Sequence, residues 1–319
     1  MKPITSHRAT PKARSSESFS AHITDELRRY DEHLRDVRGL AAGTRKGHLY
    51  VAGLLLRQKF KRRAIDISRL QADDVRQFLA SQLETHKTAS NASRHAAALR
   101  SYFRYRATCG DSVGKLTAVI LNPVHWKLAS LPRALKPDEI ELLLNSFTDD
   151  LRWTKRGYAI IRCALDMGLR SCEIANLKIG DIDWRTGIVT LRGTKSLRQD
   201  ILPLPMETGQ ALVDYIQNER PRTANPSIFV LHLGDHDRPM TAGAVRGVIR
   251  WAYKRIGLTH TRSHALRHAF ACRLVENGSS LKEVADLLRH RSLSTTLIYA
   301  KLDTPKLAAV ALRWPGSTS

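Results

Sequence analysis

The sequence predicts a mainly helical chain in two domains, the second carrying a small antiparallel β-sheet. Apolar residues step by three and four through most of the chain, short strand-like runs cluster between residues 182 and 204, and a glycine- and proline-bearing stretch at 109–134 interrupts the periodicity. At 319 residues the chain also exceeds the usual size of a single core.

Residues 1–20 are polar and serine-rich, which reads as a flexible basic arm. Domain one is expected over 21–108 as four helices. Leu27, Tyr30, Leu34 and Val37 mark one face of the first, which stops before Gly39, a residue suited to ending a helix. The second opens near Thr44 and ends in Arg57, Lys59, Lys61, Arg62 and Arg63 against the negative helix end. The third runs from about Asp73 through Val75, Phe78 and Leu83, the fourth from about Ala92 through Leu99, Tyr102 and Phe103. That fourth helix interleaves Arg94, Arg100, Arg104 and Arg106 with aromatic residues, a pattern suited to lying on a sugar-phosphate backbone.

After the linker at 109–134 a second domain is expected over 135–319, opening at Lys136-Pro137 with acidic residues in the first turn. Helices pass through Tyr158 to Leu165, stopping at Gly168, and over Glu173 to Leu177. Strands follow at 182–184, 188–191 and 201–204, then helices at 206–218, 242–256, 263–276, 280–288, 293–299 and 304–313.

Composition narrows the partners. The net charge is +22, and both parts are basic: 25 basic against 11 acidic residues precede Lys136, and 27 against 19 follow from it. Of the basic residues 36 are arginine, whose planar fork suits phosphate better than an ammonium does, so nucleic acid is the expected partner. The longest uninterrupted apolar run, Leu307 to Leu312, is six residues, far short of the roughly 18 of a membrane span. No apolar stretch follows the basic start, so a cytoplasmic protein is expected. Cys109, Cys163, Cys172 and Cys272 form no C-x-x-C pair and read as small core residues.

Two clusters invite a metal reading. His260, His264 and His268 lie four apart, yet Arg267 shares their face and no carboxylate is near, which favours an anion clamp of His264 with Arg267 over a cation site. His232, Asp235, His236 and Asp237 surround a glycine and read as a turn. No phosphate-binding glycine loop and no H-E-x-x-H is found.

Gly168-Leu-Arg170-Ser-Cys-Glu173, then Lys195 in a strand-turn-strand segment, His264-x-Leu-Arg267-His268, Leu288-Arg289-His290 and Tyr299 together resemble the tyrosine recombinases, also called the phage integrase family. The last spacings are three, twenty-three and nine residues. The resemblance implies a helical core-DNA-binding domain followed by an α+β catalytic domain, closing as a clamp on duplex DNA.

It further implies a site-specific recombinase or integrase that works through a 3′-phosphotyrosine and a Holliday junction. No metal, cofactor, ATP, membrane or small-molecule substrate is implied. Tyr299 would be the nucleophile, Arg170 and Arg267 the phosphate grip, His264 and His290 the proton handlers or hydrogen-bond donors, and Lys195 the acid for the leaving 5′-oxygen. Glu173 would orient Arg170, and His268 would support from behind. Where the family commonly has Leu-Gly-His this chain has Arg289, which adds a cation and gives up the glycine's backbone freedom.

Family members act as tetramers on two duplexes, and Leu307, Val310 and Leu312 would supply the apolar contact between protomers. Such a protein would work at the nucleoid. Two alternatives stay open on the sequence alone: a topoisomerase IB-like strand-relaxing enzyme, and a DNA-binding regulatory or architectural protein that keeps the fold without turnover.

Overall fold

A computed structural model describes residues 19–85, 88–121, 133–192, 199–259, 261–290 and 292–302. It divides into two compact units, Met1–Trp126 and Lys127–Ser319. Among the described residues no helix is long and apolar enough to cross a membrane.

The first unit is built from α1 (Ala21–Glu32), which widens into a π turn over His33–Val37, α2 (Ala42–Phe60), α3 (Ala72–Thr85), α4 (Ala89–Thr108) and the single-turn α5 (Gly114–Ala118). Gly39, at φ +57°, ends the first helix, its N–H reaching the Arg35 carbonyl. Tyr30, Leu55, Leu56, Phe78, Leu99 and Tyr102 fill the core, where the Tyr30 and Tyr102 rings meet edge to face at 5.2 Å.

A buried carboxylate lies within this core. Glu26 accepts from the Tyr102 hydroxyl at 2.9 Å and from Arg106 at 3.1 Å, and Arg106 also binds Asp111 at 2.7 Å. Arg106 thus serves a buried network rather than the surface. The interdomain segment expected over 109–134 needs correction at its start. Val113, Leu116 and Ile120 are buried in the first unit's core, so α5 is part of that unit. One turn carries too few apolar positions to register as a helical period.

The second unit opens with α6 (Pro137–Asn145), α7 (Thr154–Asp166) and the short α8 (Ser171–Asn176). Strands β1 (Ile182–Asp183), β2 (Ile188–Leu191) and β3 (Asp200–Pro203) form an antiparallel sheet in the order β1-β2-β3, with Val189 facing Ile182 on one side and Leu202 on the other. Among the described residues four further helices follow: α9 (Met206–Asn218), α10 (Ala242–Arg255), α11 (His264–Glu276) and α12 (Leu281–Leu287).

Helix α7 is the hub, packed against α9, α10 and α11. Ile160, Ile161 and Leu165 lie in the main core with Leu212, Tyr215 and Leu266. A smaller cluster gathers Ala271, Cys272, Val275, Val284 and Leu288 around Tyr299.

The residues expected to form a helix at 293–299 form instead two 3₁₀ turns, Leu293–Thr295 and Leu297–Leu302. The segment 304–313, with Leu307, Val310 and Leu312, lies outside the described residues, as do the first 18 residues. Cys163 and Cys272 are buried, but Cys109 and Cys172 are exposed, which corrects the core reading for two of the four.

Candidate active site

The site is assembled from two helix ends, those of α7 and α12, and two helix starts, those of α8 and α11. Helix α7 stops at Gly168, whose φ of +57° turns the chain toward Arg170. A Cβ at Gly168 would stand 2.6 Å from the Phe270 ring and 3.1 Å from Leu288, so both the conformation and the close packing require glycine. Arg170 then caps α8, and its N–H donates to Glu173 Oε2 at 2.8 Å. Its guanidinium donates to Glu173 Oε1 at 2.6 Å and to the Leu288 and Arg289 carbonyls at 3.2 and 3.1 Å.

Arg267 comes from α11 and is 5% exposed. It donates to the carbonyls of Gly168 and Leu288, the same two turns that Arg170 touches or follows. Burial and repulsion from Arg170 and Arg289 push it down to about 9, which still leaves it charged at neutral pH.

Helix α12 ends in a Schellman turn, with the Arg289 N–H on Asp286 O and the His290 N–H on Ala285 O, both at 2.9 Å. The residue at the left-handed position is Arg289, at φ +53°. Its side chain folds inward to Glu173 Oε2 at 2.7 Å.

His290 leaves this turn with Nδ1 2.7 Å from the Thr296 hydroxyl. Burial, then Arg267, Arg170 and Arg289, pushes it down to about 4. His264 opens α11 with its ring reaching the surface, yet the protein packed around it and the charges of Arg267 and Arg170 hold it below its ordinary value. A cavity of about 450 Å³ lies beside His264 and His268, rimmed also by Arg133, Lys136 and Arg262.

Tyr299 is only 2% exposed. Its hydroxyl lies 2.6 Å from His268 Nδ1, and burial pushes the phenol up to about 12 against an opposing pull from Arg267. His268 is itself pushed down to about 4, first by burial and then by His264 and Arg267. The structure therefore brings Arg170, Arg267, His290, Glu173 and His264 to one locus and sets Tyr299 against His268 beside it.

Lys195 lies in the β2–β3 connection, outside the described residues, as does His260. Of the α4 arginines, Arg94 and Arg104 are exposed, whereas Arg100 donates to the Ile120 carbonyl at 2.7 Å and Arg106 is bound internally. His232 stacks on Tyr215 at 5.8 Å and is pushed down to about 4, by burial first. Sequence reasoning did not anticipate the His268–Tyr299 contact or the inward turn of Arg289.

These histidines set a pH dependence of stability. In the unfolded chain each titrates near its ordinary value of about 6.5, while His232, His268 and His290 are held near 4 in the folded protein. Between those values the unfolded chain binds protons that the folded protein refuses. Their contribution is present above about pH 6.5 and is lost as pH falls toward 4, by up to about 1.4 kcal/mol per histidine per pH unit. The urea midpoint should fall as the pH is lowered from about 7.5 to about 5.5. A flat or rising midpoint would contradict neutral imidazoles at His232, His268 and His290 in the folded protein.

Residues 133–305 match the phage integrase family, and residues 27–108 match the N-terminal SAM-like domain of phage integrases. The integrase/recombinase y4rA of Sinorhizobium fredii (strain NBRC 101917 / NGR234) is 32% identical over 92% of this chain and 72% of its own length. The tyrosine recombinase XerD of Listeria innocua serovar 6a is 29% identical over 86% of this chain and 92% of its own. Among solved structures, a lambda integrase dimer bound to a COC' core site superposes with a TM-score of 0.67, at 18% identity, over 92% of this chain and 80% of that one. The Tn1549 transposon integrase in complex with transposon right end DNA gives 0.65 at 18% identity, over 89% and 99%. With matches of this extent in both units, the chain belongs to the phage integrase family, the tyrosine recombinases.

Proposed function

We propose that the protein is a site-specific DNA recombinase that cleaves and rejoins strands through a 3′-phosphotyrosine at Tyr299, with neither metal nor ATP. The observation that carries this reading is the convergence of Arg170, Arg267 and His290, from segments far apart in sequence, on the Gly168 and Leu288 turns, with Tyr299 on the adjoining 3₁₀ turn. Two guanidiniums and a neutral imidazole suit a phosphodiester whose transition state gains charge on its non-bridging oxygens.

In the step, Tyr299 Oη gives up its proton to solvent as it bonds to phosphorus, the bond from phosphorus to the 5′-oxygen breaks, and that oxygen takes up a proton. Lys195 is assigned to supply it. His290 is neutral at pH 7, and in the tautomer in which the Thr296 hydroxyl donates to Nδ1, its Nε2–H is left for a phosphate oxygen. His264, at the rim, donates to the same phosphate.

This arrangement is a resting one. With the phenol near 12 and His268 near 4, the shared proton stays on Tyr299. Tyr299 must leave His268 to reach a phosphate.

The substrate is duplex DNA. A net charge of +22 supports this, as do the exposed Arg94 and Arg104 on α4 and the DNA-bound relatives of like fold. Exchange through a Holliday junction requires a tetramer on two duplexes.

The test is denaturing-gel capture of a covalent adduct on nicked duplexes drawn from the DNA flanking the gene, in EDTA, with the modified peptide mapped by mass. An EDTA-resistant adduct on Tyr299 is expected, and recombinant junctions in the same reaction would distinguish exchange from simple strand relaxation. Tight, salt-dependent binding without any adduct would sink the enzymatic reading and leave a DNA-binding regulator.

A further inference from the structure

Arg289 occupies a position that L-residues avoid. At φ +53° it holds the left-handed place of the α12 Schellman turn, where a side chain costs about 1 kcal/mol that glycine does not incur. The guanidinium does not reach solvent, its side chain being 2% exposed. It donates to Glu173 Oε2 at 2.7 Å, to the Leu287 carbonyl at 2.6 Å and, more weakly, to the Gly168 carbonyl at 3.4 Å.

Three guanidiniums therefore surround one carboxylate, and the allocation among them is uneven. Glu173 Oε1 is taken by Arg170 and Oε2 by Arg289 together with the Arg170 N–H, while Arg267 stands 3.9 Å from that same Oε2. Arg267 is left with two neutral carbonyls as its hydrogen-bond acceptors. His290 is held low by burial first and then by the charges of Arg267, Arg170 and Arg289.

We propose that Arg289 is a positioning residue: by taking the hydrogen bond of Glu173 Oε2 it holds that oxygen 3.9 Å from Arg267, at the edge of ion-pair range, so that the charge of Arg267 is kept for an incoming phosphate. The inference rests on the recombinase reading above. Its physical content is a competition. Without Arg289, Glu173 Oε2 has only a short way to go to pair with Arg267. Both phosphate-binding arginines would then share one carboxylate, and the net charge of the cluster would drop by one.

The experiment measures single-turnover adduct formation at saturating protein on a nicked duplex for wild type, Arg289→Gly, Arg289→Lys and the double variant Arg289→Gly with Glu173→Gln. Arg289→Gly is expected to slow cleavage about tenfold or more, since it weakens a preorganised cation at the transition state, with little change in non-covalent DNA affinity. Arg289→Lys, which keeps a cation for Glu173, should retain most of the rate. The double variant should cleave faster than Arg289→Gly, because the amide no longer draws Arg267 away. A buried ion pair serving packing alone predicts the reverse order, each change adding to the loss.

Cleavage by Arg289→Gly at the wild-type rate, or a double variant slower than the single one, overturns the proposal. Should Arg289→Gly fail to fold, a folded Arg289→Lys that loses more than about tenfold also overturns it, since the cation alone was to suffice. Wild type forming no Tyr299 adduct would instead be a failure of the recombinase reading itself.

Discussion

Tyr299→Phe is expected to abolish the covalent protein–DNA adduct altogether while leaving a folded protein that binds the same duplex. The substitution removes one oxygen, and that oxygen is the atom assigned to bond with phosphorus. The ring keeps its packing on Ala271, Cys272, Val275, Val284 and Leu288. What is lost is the contact with His268 Nδ1, at 2.6 Å, so a stability cost of about 1–2 kcal/mol is expected from a buried partner left unmatched. Gel capture measures the first effect, urea unfolding the second and equilibrium binding the third. An adduct from the phenylalanine variant at the wild-type yield would remove Tyr299 from the chemistry.

The elements that sequence periodicity located well are those whose burial is one-sided. Helix α9 begins and ends where its pattern does, at Met206 and Asn218, and α10 and β2 agree within a residue, because each presents a single apolar face to the core. Periodicity failed where a segment is too short to show a face. Helix α5 buries Leu116 in one turn, and the 3₁₀ turns around Tyr299 have a tighter repeat than the helical step sought in the sequence.

The site divides in a similar way. Motif spacing pointed to Arg170, Arg267 and His290, which lie at one locus, since these side chains stand at helix starts or ends where local sequence decides direction. Contacts made through tertiary structure were not legible. Arg106 looked like one more cation on a basic helix, but its partner Glu26 is eighty residues away in sequence and inside the core. His268 looked like a supporting residue, and its pairing with Tyr299 depends on how the last 3₁₀ turn folds back on α11. Arg289 was visible as a departure from glycine, yet only the positive φ and the Glu173 contact reveal that its charge points inward.

Arg267→Ala should combine the second large catalytic loss with a structural one, and the two can be measured apart. Arg267 supplies hydrogen bonds to the Gly168 and Leu288 carbonyls, which lie at the two turns that aim Arg170 and His290. Removing it leaves the Gly168 carbonyl with Arg289 at 3.4 Å and the Leu288 carbonyl with Arg170 at 3.2 Å, at a cost of about 1 kcal/mol for each hydrogen bond lost. It also removes a guanidinium from the phosphate grip, for which a loss of about 10²–10³-fold in cleavage rate is the expected scale. Arg267→Lys separates the contributions: a lysine restores the charge, but its single ammonium cannot bridge both carbonyls in the geometry of the arginine fork. The lysine variant should therefore recover part of the rate while staying less stable than wild type. Equal cleavage by Arg267→Ala and wild type, measured on protein shown to be folded at the assay temperature, would mean that the buried guanidinium only braces the turns and that Arg170 and the histidines carry the phosphate alone.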